Sequence, residues 1–327
     1  MESPDQLVRL RERSLFREVG ENDDSDVAQR INSLIRHFPT TLRAAGSTRL
    51  EPLIRLVAQD IMNLAEVDHD ATLGMLRLMP VANAAIRHCL LTALLAQDMA
   101  KLSLPPKDPQ IETTVCAALT MNIAAMELHR MLDEYQGPLD SGVRDLIGRH
   151  PNAGAEILRR SRVRDKLWLE TVTQHHEQMD GSGYPAGLKK DEISIPARIL
   201  RIADFYVAKI RGRRYRRAVS ARSAFRELFG TERSRLDNRL ALMLLRRIGL
   251  FPPGTLVRLS SRETALITRK QGSDENVGKV IAFINPSARP HQQPIERNTN
   301  QPDFSVIGIV DPDPDWPAIN WPAFWGY

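Results

Sequence analysis

The run from His175 to Leu188, HHEQMDGSGYPAGL, constrains this chain more than any other stretch. It sets two adjacent imidazoles and two carboxylates against a turn rich in glycine and proline. Neighbouring side chains on a regular helix point apart, so His175 and His176 can meet at one ion most easily where a helix ends. The glycines and proline that follow supply such an end. The run therefore predicts a metal or phosphate site at the end of a helix.

The signature continues through an apolar, helix-forming segment at 193–206 and an arginine-rich segment, RRYR, at 213–216. Together these segments closely resemble the HD-GYP family of bacterial metal-dependent phosphodiesterases. The resemblance runs from near Val81 to near Leu250. It implies a mainly α fold, a helical bundle of the HD-GYP type, and a role in signal transduction by the second messenger cyclic di-GMP.

The family's defining histidine-aspartate pair, and the lysine that closely follows it, are absent from the corresponding positions. The chain has Met121 and Asn122 in place of the pair and Ala125 in place of the lysine. His88 matches the family's first metal ligand and His150 matches the next histidine after the pair, so the register around the substitutions holds. Met121, Asn122 and Ala125 are therefore degenerate positions of the active site, and no residue is assigned a certain catalytic role.

The resemblance implies two metal sites, which the substitutions affect differently. The first would keep only His88 and Asp204, because a neutral Asn122 cannot replace a bridging carboxylate. The second would keep three imidazoles and an open position, which suits zinc, iron or manganese. These three ligands are His150, His175 and His176. We expect at most one divalent metal per chain, and no third metal, because Ala84 replaces the glutamate that some relatives use for it.

The residues suited to binding a nucleotide are better kept than those suited to cutting it. Glycines allow the loop to turn, proline stiffens it, arginines offer planar forks to phosphate, and a tyrosine can stack on a base. The expected ligand-binding residues are Gly181, Gly183, Tyr184, Pro185, Arg198, Arg213, Tyr215 and Arg216. A solvated basic surface is the alternative for the arginines, since they lie in a dense run of charge.

Other polar residues have narrower alternatives. Glu177 and Asp180 would either accept hydrogen bonds from the histidines or cap the turn. His129 lies about two helical turns beyond Asn122 and is a candidate to replace a lost ligand, although this rescue is not expected. Three further histidines lack partners at ligand spacing and are expected to be surface or packing residues: His37, His69 and His291.

Composition narrows the class of protein. The 327 residues fit about two domains, and the net charge of +5 suits an anionic ligand. Acidic residues are interspersed and no basic stripe carries aromatic residues, so nucleic-acid binding is not expected. No stretch is long and apolar enough to span a bilayer, the first residues lack a secretory signal pattern, and Cys89 and Cys116 are too few for a disulfide framework. We expect a cytoplasmic protein without a membrane partner.

Hydrophobic periodicity and helix breakers divide the chain into three predicted regions. Residues 1–79 form an N-terminal helical region, 80–250 an HD-GYP-like domain, and 251–327 a small β extension with a tail rich in proline and tryptophan. The tail either docks on its own domain or binds a partner, and docking is preferred because exposed aromatic residues are costly.

Finer boundaries follow from the same patterns. In the N-terminal region the predicted helices are 27–38, starting at the polar run 23–26 and interrupted at Pro39, then 51–64 and 71–78. In the C-terminal region the predicted strands are 255–259, 264–268 and 277–284, followed by a loop or partly disordered segment at 285–302.

Two functions are compatible with the sequence. In the first, a degenerate HD-GYP protein binds cyclic di-GMP, a related nucleotide or a signalling protein such as a diguanylate cyclase, with little or no hydrolysis. The alternative is an active, metal-dependent cyclic di-GMP phosphodiesterase with an altered metal site. The first is favoured because two-metal hydrolysis needs a cation at both the attacking and the leaving oxygen, and because the phosphate-neutralising lysine is gone.

Overall fold

The computed structural model describes residues 27–81, 83–135, 140–211, 219–270, 277–313 and 315–327. Within these residues the chain is mainly helical, with a small antiparallel sheet near its C-terminal end, so the predicted fold class is confirmed. The helices are α1 (Val27–Leu42), α2 (Leu50–Leu78), α3 (Ala84–Ser103), α4 (Pro109–Thr120), α5 (Met126–Glu134), α6 (Ser141–Arg160), α7 (Lys166–Gln174), α8 (Ile195–Arg211), α9 (Ala221–Phe229) and α10 (Asn238–Ile248). Among them, none has the length and apolar character needed to cross a membrane.

Short polar side chains fix where the helices around the site begin. Asn83 precedes α3, Asp140 precedes α6 and Asp165 precedes α7, and each accepts a hydrogen bond from a backbone N–H of the first helical turn. Such caps satisfy donors that have no partner within the helix. They fix the starting points of the helices that carry or lead to His88, His150 and the His175-His176 pair.

The central helix of the body is α3, which packs against α2, α4, α8 and α10. Nearly all of its side chains from Ala85 to Ala100 are buried, as expected for a helix surrounded by others. One hydrophobic core continues from α1 through these helices to Leu256 and Phe283 in the sheet. The predicted domain boundaries near residues 80 and 250 stay predictions, since the core is continuous across both.

The N-terminal helices differ from the prediction in one respect. The predicted interruption at Pro39 is wrong, because α1 continues through it to Leu42. Phe38 and Leu42 are buried, so packing of the last turn compensates for the hydrogen bond that proline cannot donate. The two predicted helices at 51–64 and 71–78 are parts of α2, which has a non-helical residue at Asp68. The predicted helix start at 23–26 lies outside the described residues.

The sheet has five strands in the order β4-β3-β2-β1-β5, and all neighbours are antiparallel. They are β1 (Leu256–Leu259), β2 (Thr264–Leu266), β3 (Lys279–Ile284), β4 (Pro290–Asn298) and β5 (Val306–Ile309). The first three match predicted strands. The prediction of a loop over 285–302 is wrong, because β4 pairs with β3 there. This edge strand is polar and mostly exposed, so it lacks the apolar alternation that signals a strand.

The C-terminal tail docks on its own chain, which was the preferred alternative. Trp325 is buried, and its indole Nε1 donates to the carbonyl of Thr268 at 2.8 Å. The ring lies against Gly74 in α2, where an added Cβ would come within 2.2 Å of it. Trp316, Trp321 and Phe324 surround Phe283 at ring-centroid distances of 5.3, 5.8 and 5.5 Å.

Candidate functional site

Three histidines from two parts of the chain converge in the body. His150 lies in α6, His175 follows the last residue of α7, and His176 is next in sequence. One nitrogen from each ring lies within 4.8 Å of the others. The Nε2 atoms of His150 and His175 are 3.1 Å apart. The helix end predicted from sequence thus allows the adjacent histidines to face one point.

Backbone carbonyls fix the tautomers of two of these rings. The Nδ1 atom of His150 lies 2.6 Å from the carbonyl of Ile147, and that of His175 lies 2.6 Å from the carbonyl of Val172. A carbonyl only accepts, so each Nδ1 carries the hydrogen and each Nε2 of a neutral ring presents a lone pair. Two lone pairs 3.1 Å apart repel each other, and a cation between them would remove that repulsion.

The protonation of the cluster matches this requirement. Burial lowers the pKa of His150, and burial together with the neighbouring imidazole of His150 lowers the pKa of His175 to about 3. The pKa of His176 is also well below its usual value, mainly through burial. All three rings are therefore neutral at pH 7, which is the form that binds metal. The donor set fits one divalent metal, and these residues could hold it.

His88 and Asp204 bind each other. The Nε2 of His88 donates to Oδ1 of Asp204 at 2.8 Å, and both side chains are buried. Burial alone would raise the pKa of Asp204, but the hydrogen bond from His88 and the electrostatic attraction of His88, His176 and His175 together hold the pKa well below its usual value. The Nη1 of Arg201 lies 4.0 Å from Oδ2 of the same carboxylate. Asp204 is thus an anion that already has a hydrogen-bond donor and a nearby cation.

The degenerate positions lie beyond the end of α4. Met121, Asn122 and Ala125 are all buried, with exposed fractions of 0, 2 and 1%. They belong to a tight turn, since the N–H of Ala125 donates to the carbonyl of Asn122 at 2.8 Å. The ring of His129 has its centroid 6.0 Å from that of His88. His129 therefore lies beside the His88-Asp204 pair. The metal-binding group found among the described residues contains neither His129 nor His88.

The loop after the histidines is built around Glu177. This buried carboxylate accepts from the backbone N–H of Ala186 at 2.6 Å and from that of Leu188 at 2.9 Å. Gly183 packs so closely on the backbone of residues 177–178 that an added Cβ would come within 2.4 Å of it. Asp180 accepts from Ser182. Of the two roles weighed for these carboxylates, the structure shows that of closing the turn.

Tyr184 connects this loop to the metal-binding group. Its ring stacks on His176, with centroids 4.8 Å apart and planes 28° apart, and a cis peptide bond joins it to Pro185. Gly181 has a φ of +82°, which favours glycine. The predicted loop residues are therefore next to the predicted metal ligands in space.

The predicted arginines have a different outcome. Arg198 donates from Nε to the carbonyl of Ile193 at 2.9 Å and pairs with Asp191 and Asp237, so its guanidinium already has structural partners. Its role in binding phosphate stays a prediction with a competing structural role. The other predicted residues of this group, Arg213, Tyr215 and Arg216, lie outside the described residues.

Arg201 is a site residue that sequence reasoning missed. It lies one helical turn before Asp204 in α8, and this i, i+3 spacing was the available signal. The Nε of Arg201 is buried and has no hydrogen-bond partner in the described part of the chain. The three histidines that were expected to be surface or packing residues each have a hydrogen-bond partner outside the candidate site: His37 with Ser33, His69 with Asp98, and His291 with Glu263.

Comparison with known families agrees with this geometry. The profile described as HD domain matches residues 55–240, which is more than half of the chain. The chain belongs to the HD domain family. The resemblance to HD-GYP proteins is confirmed, since relatives of this HD-domain chain carry the name cyclic di-GMP phosphodiesterase and a solved neighbour is described as an HDG"Y"P protein.

Two relatives of this HD-domain chain are named as cyclic di-GMP phosphodiesterases. Cyclic di-GMP phosphodiesterase PA4108 of Pseudomonas aeruginosa is 27% identical over 259 residues, which cover 78% of this chain and 62% of that protein. Cyclic di-GMP phosphodiesterase PdeB of Borreliella burgdorferi is 26% identical over 51% of this chain and 43% of its own. The chain therefore spans less than two thirds of these relatives' length.

A solved structure shares the fold. Bd1817, described as an HDG"Y"P protein from Bdellovibrio bacteriovorus, superposes with a TM-score of 0.60. The match covers 75% of this chain and 81% of that one at 16% sequence identity. At this identity the likeness concerns the fold alone.

Proposed function

We propose that this protein is a degenerate HD-GYP protein of cyclic di-GMP signalling, which binds the nucleotide, or a protein partner such as a diguanylate cyclase, with little or no hydrolysis. The observation that carries the proposal is that Met121 and Asn122 stand where the family's histidine-aspartate pair is expected, while His150, His175 and His176 converge. The residues expected to hold a metal and its ligand are thus present, whereas those expected for cleavage are replaced.

The case against appreciable hydrolysis rests on charge. Neutral Asn122 brings no anion to bridge a second cation, and Ala125 brings no cation to a phosphate. Arg201 lies beside Asp204 and would repel a divalent ion approaching that carboxylate. Two-metal phosphodiester hydrolysis requires both cations, so the remaining set performs at most part of that chemistry.

The case for binding rests on the cluster and its loop. A metal held by the three imidazoles would supply positive charge for a phosphate oxygen. Tyr184 presents an aromatic ring beside His176, and aromatic rings stack on nucleobases. Glu177 holds the backbone of the loop through two hydrogen bonds, so the loop is positioned before a ligand arrives. None of these features depends on a bridged metal pair.

The test is calorimetry with cyclic di-GMP and a turnover assay on the same metal-loaded samples. We expect measurable binding that weakens with added salt, together with absent or very slow turnover. Tyr184→Ala and the Arg213→Ala, Arg216→Ala double variant should weaken binding, while Tyr184→Phe, which keeps the ring, should retain it. A pull-down with wild type and Tyr184→Ala tests the partner. The proposal would be contradicted if these variants kept both nucleotide binding and partner binding unchanged.

An active phosphodiesterase with an altered metal site is the second candidate. The observation in its favour is that the three-histidine set is complete, and the relatives PA4108 and PdeB are both named cyclic di-GMP phosphodiesterases. Turnover with zinc, iron or manganese, lost on His175→Ala, would establish this candidate instead.

A further inference from the structure

A cavity lies where helices of the body meet the C-terminal sheet. It has a volume of about 590 Å³ and contains no residue of the three-histidine group. Its walls come from α2, α3, α8, the start of α9, and the strands β1 and β5. Cavities of this size hold small organic ligands.

The described residues that line this cavity include Arg77, Arg87 and Arg211. Arg77 donates to the carbonyls of Pro252 and Pro253 and to the hydroxyl of Thr255. Two further carbonyls, those of Arg77 and Met79, accept from Arg87. These partners are neutral, so within the described part of the chain the positive charges of Arg77 and Arg87 are oriented by backbone carbonyls and a hydroxyl, with no carboxylate bonded to them.

The pKa values of Arg77 and Arg87 agree with positive charge that is not compensated by the described residues around them. Burial lowers the pKa of Arg77, and burial together with repulsion from Arg211 and Arg77 lowers the pKa of Arg87. Among the described lining residues Asp311 is the one carboxylate, and it is exposed at the rim. Ser220, the cap of α9, and Ala221, its first residue, also line the cavity and add the positive end of a helix. An anion would supply the counter-charge that Arg77 and Arg87 do not receive from the described residues around them.

The remaining wall is apolar and includes Leu91, Ile210, Leu256 and Val310. A bare inorganic ion would leave this wall unused, whereas a phosphorylated molecule with a flat or apolar part would contact both halves of the cavity. We propose that this cavity binds a small phosphate-bearing ligand of mononucleotide size, with its phosphate on Arg77, Arg87 and Arg211 and its apolar part against β1 and β5.

Two of the arginines that line the cavity lie on the helices that carry His88 and Asp204. Arg87 immediately precedes His88 in α3, and Arg211 is the last residue of α8, the helix that carries Asp204. The sheet forms the opposite wall. A ligand here would contact both the sheet and the two helices that hold the His88-Asp204 pair.

The experiment is calorimetry on the full chain with guanosine 5′-monophosphate, guanosine, inorganic phosphate and cyclic di-GMP as separate probes. We expect guanosine 5′-monophosphate to bind, guanosine not to bind, and the affinity to fall with salt. Arg87→Gln should weaken binding by about tenfold or more, since hydrogen bonds to a charged group are lost. Asp311→Asn should strengthen it by about two- to fivefold, because it removes the carboxylate found among the described lining residues.

Two controls locate the site. Arg159→Gln removes an exposed arginine elsewhere, which pairs with Glu156, and should leave binding unchanged. His175→Ala alters the three-histidine group and should also leave it unchanged. Since Arg87→Gln removes bonds within the fold, Asp311→Asn, at an exposed position, keeps the test decisive if that variant does not fold.

The proposal is overturned by any of three results. These are no binding of a phosphate-bearing probe, binding of inorganic phosphate alone, or nucleotide binding that His175→Ala abolishes and Asp311→Asn leaves unchanged. The last result would assign the nucleotide to the three-histidine site, which is the proposed function and not this cavity.

Discussion

The Nε2 atoms of His150 and His175 lie 3.1 Å apart, while the Nδ1 atom of each ring is within 2.6 Å of a backbone carbonyl. Hydrogen bonding thus turns two lone pairs toward each other in a buried place. Such an arrangement is stable when a cation lies between the two nitrogens. The same geometry explains why neutral imidazoles are preferred here, and it leads to the first prediction.

The purified protein should contain at most one divalent metal per chain, and His175→Ala should remove it. Element analysis after exhaustive dialysis measures this. The matched control is His129→Ala, because that ring lies beside His88 and not in the three-histidine group. Two tightly bound ions per chain, or loss of the ion on His129→Ala, would contradict the ligand assignment.

Restoring the family's residues should restore chemistry. The triple variant Met121→His, Asn122→Asp, Ala125→Lys places ligands and a cation next to a set that is otherwise present, so cyclic di-GMP turnover should rise from background by at least tenfold. The same triple variant combined with His175→Ala is the control and should stay at background. If the unaltered protein hydrolysed cyclic di-GMP as fast as the restored variant, the proposal that its active site is degenerate would be wrong.

Arg201 adds a complication that the restoration test can resolve. Its guanidinium lies near Asp204, where a restored first metal would need the carboxylate. We expect the quadruple variant that adds Arg201→Ala to bind a second metal more tightly than the triple variant, because a neighbouring positive charge is removed. Titration with manganese measures the stoichiometry. An unchanged second-metal affinity would mean that Arg201 has no electrostatic role at this carboxylate.

The loop should depend on the charge of Glu177. Glu177→Gln replaces one of two acceptors with an amide donor, which would face a backbone N–H, so about 2 kcal/mol of local stability should be lost. Faster hydrogen exchange at the amides of Ala186 and Leu188 would report it. Glu192→Gln is a matched control, because Glu192 is exposed and accepts from the N–H of Lys189 alone. Equal protection in both variants would show that the loop is held by other contacts.

The His175-His176 pair and its loop could be predicted because they are contiguous in sequence and follow a helix end, whereas His150, on another helix, was assigned through the resemblance to the family. The sequence could not predict that Arg201 lies at Asp204, since this required knowing which face of α8 turns inward. Strand β4 was missed because hydrogen bonds to β3, and not its own apolar side chains, hold it in place. The arginine cavity was missed for a related reason, as Arg77 and Arg211 are far apart in sequence and meet through long-range packing.

The sheet should lose stability in acid through Glu263. Burial would raise the pKa of this carboxyl, but hydrogen bonds from Arg297, Ser261 and His291 lower it below its usual value of 4.5. Its stabilisation is therefore complete above about pH 4.5 and is lost as the pH falls through the lowered pKa. Glu263→Gln should destabilise by about 2 kcal/mol at pH 7 and by less at pH 3, as measured by urea unfolding. A difference independent of pH would contradict this assignment.

The docked tail can be tested through the pair Gly74 and Trp325. A Cβ at Gly74 would come within 2.2 Å of the Trp325 ring, so Gly74→Ala should destabilise the wild-type protein. Trp325→Ala should cost about 3 kcal/mol through the cavity that it leaves. In that background the three atoms nearest to a Cβ at Gly74 are removed, so Gly74→Ala should gain about 0.5–1 kcal/mol from the better helix former. Urea unfolding of the four proteins gives the double-mutant cycle, and the sign of the Gly74→Ala effect should reverse. The same sign in both backgrounds would show that the tail does not pack on α2 in solution.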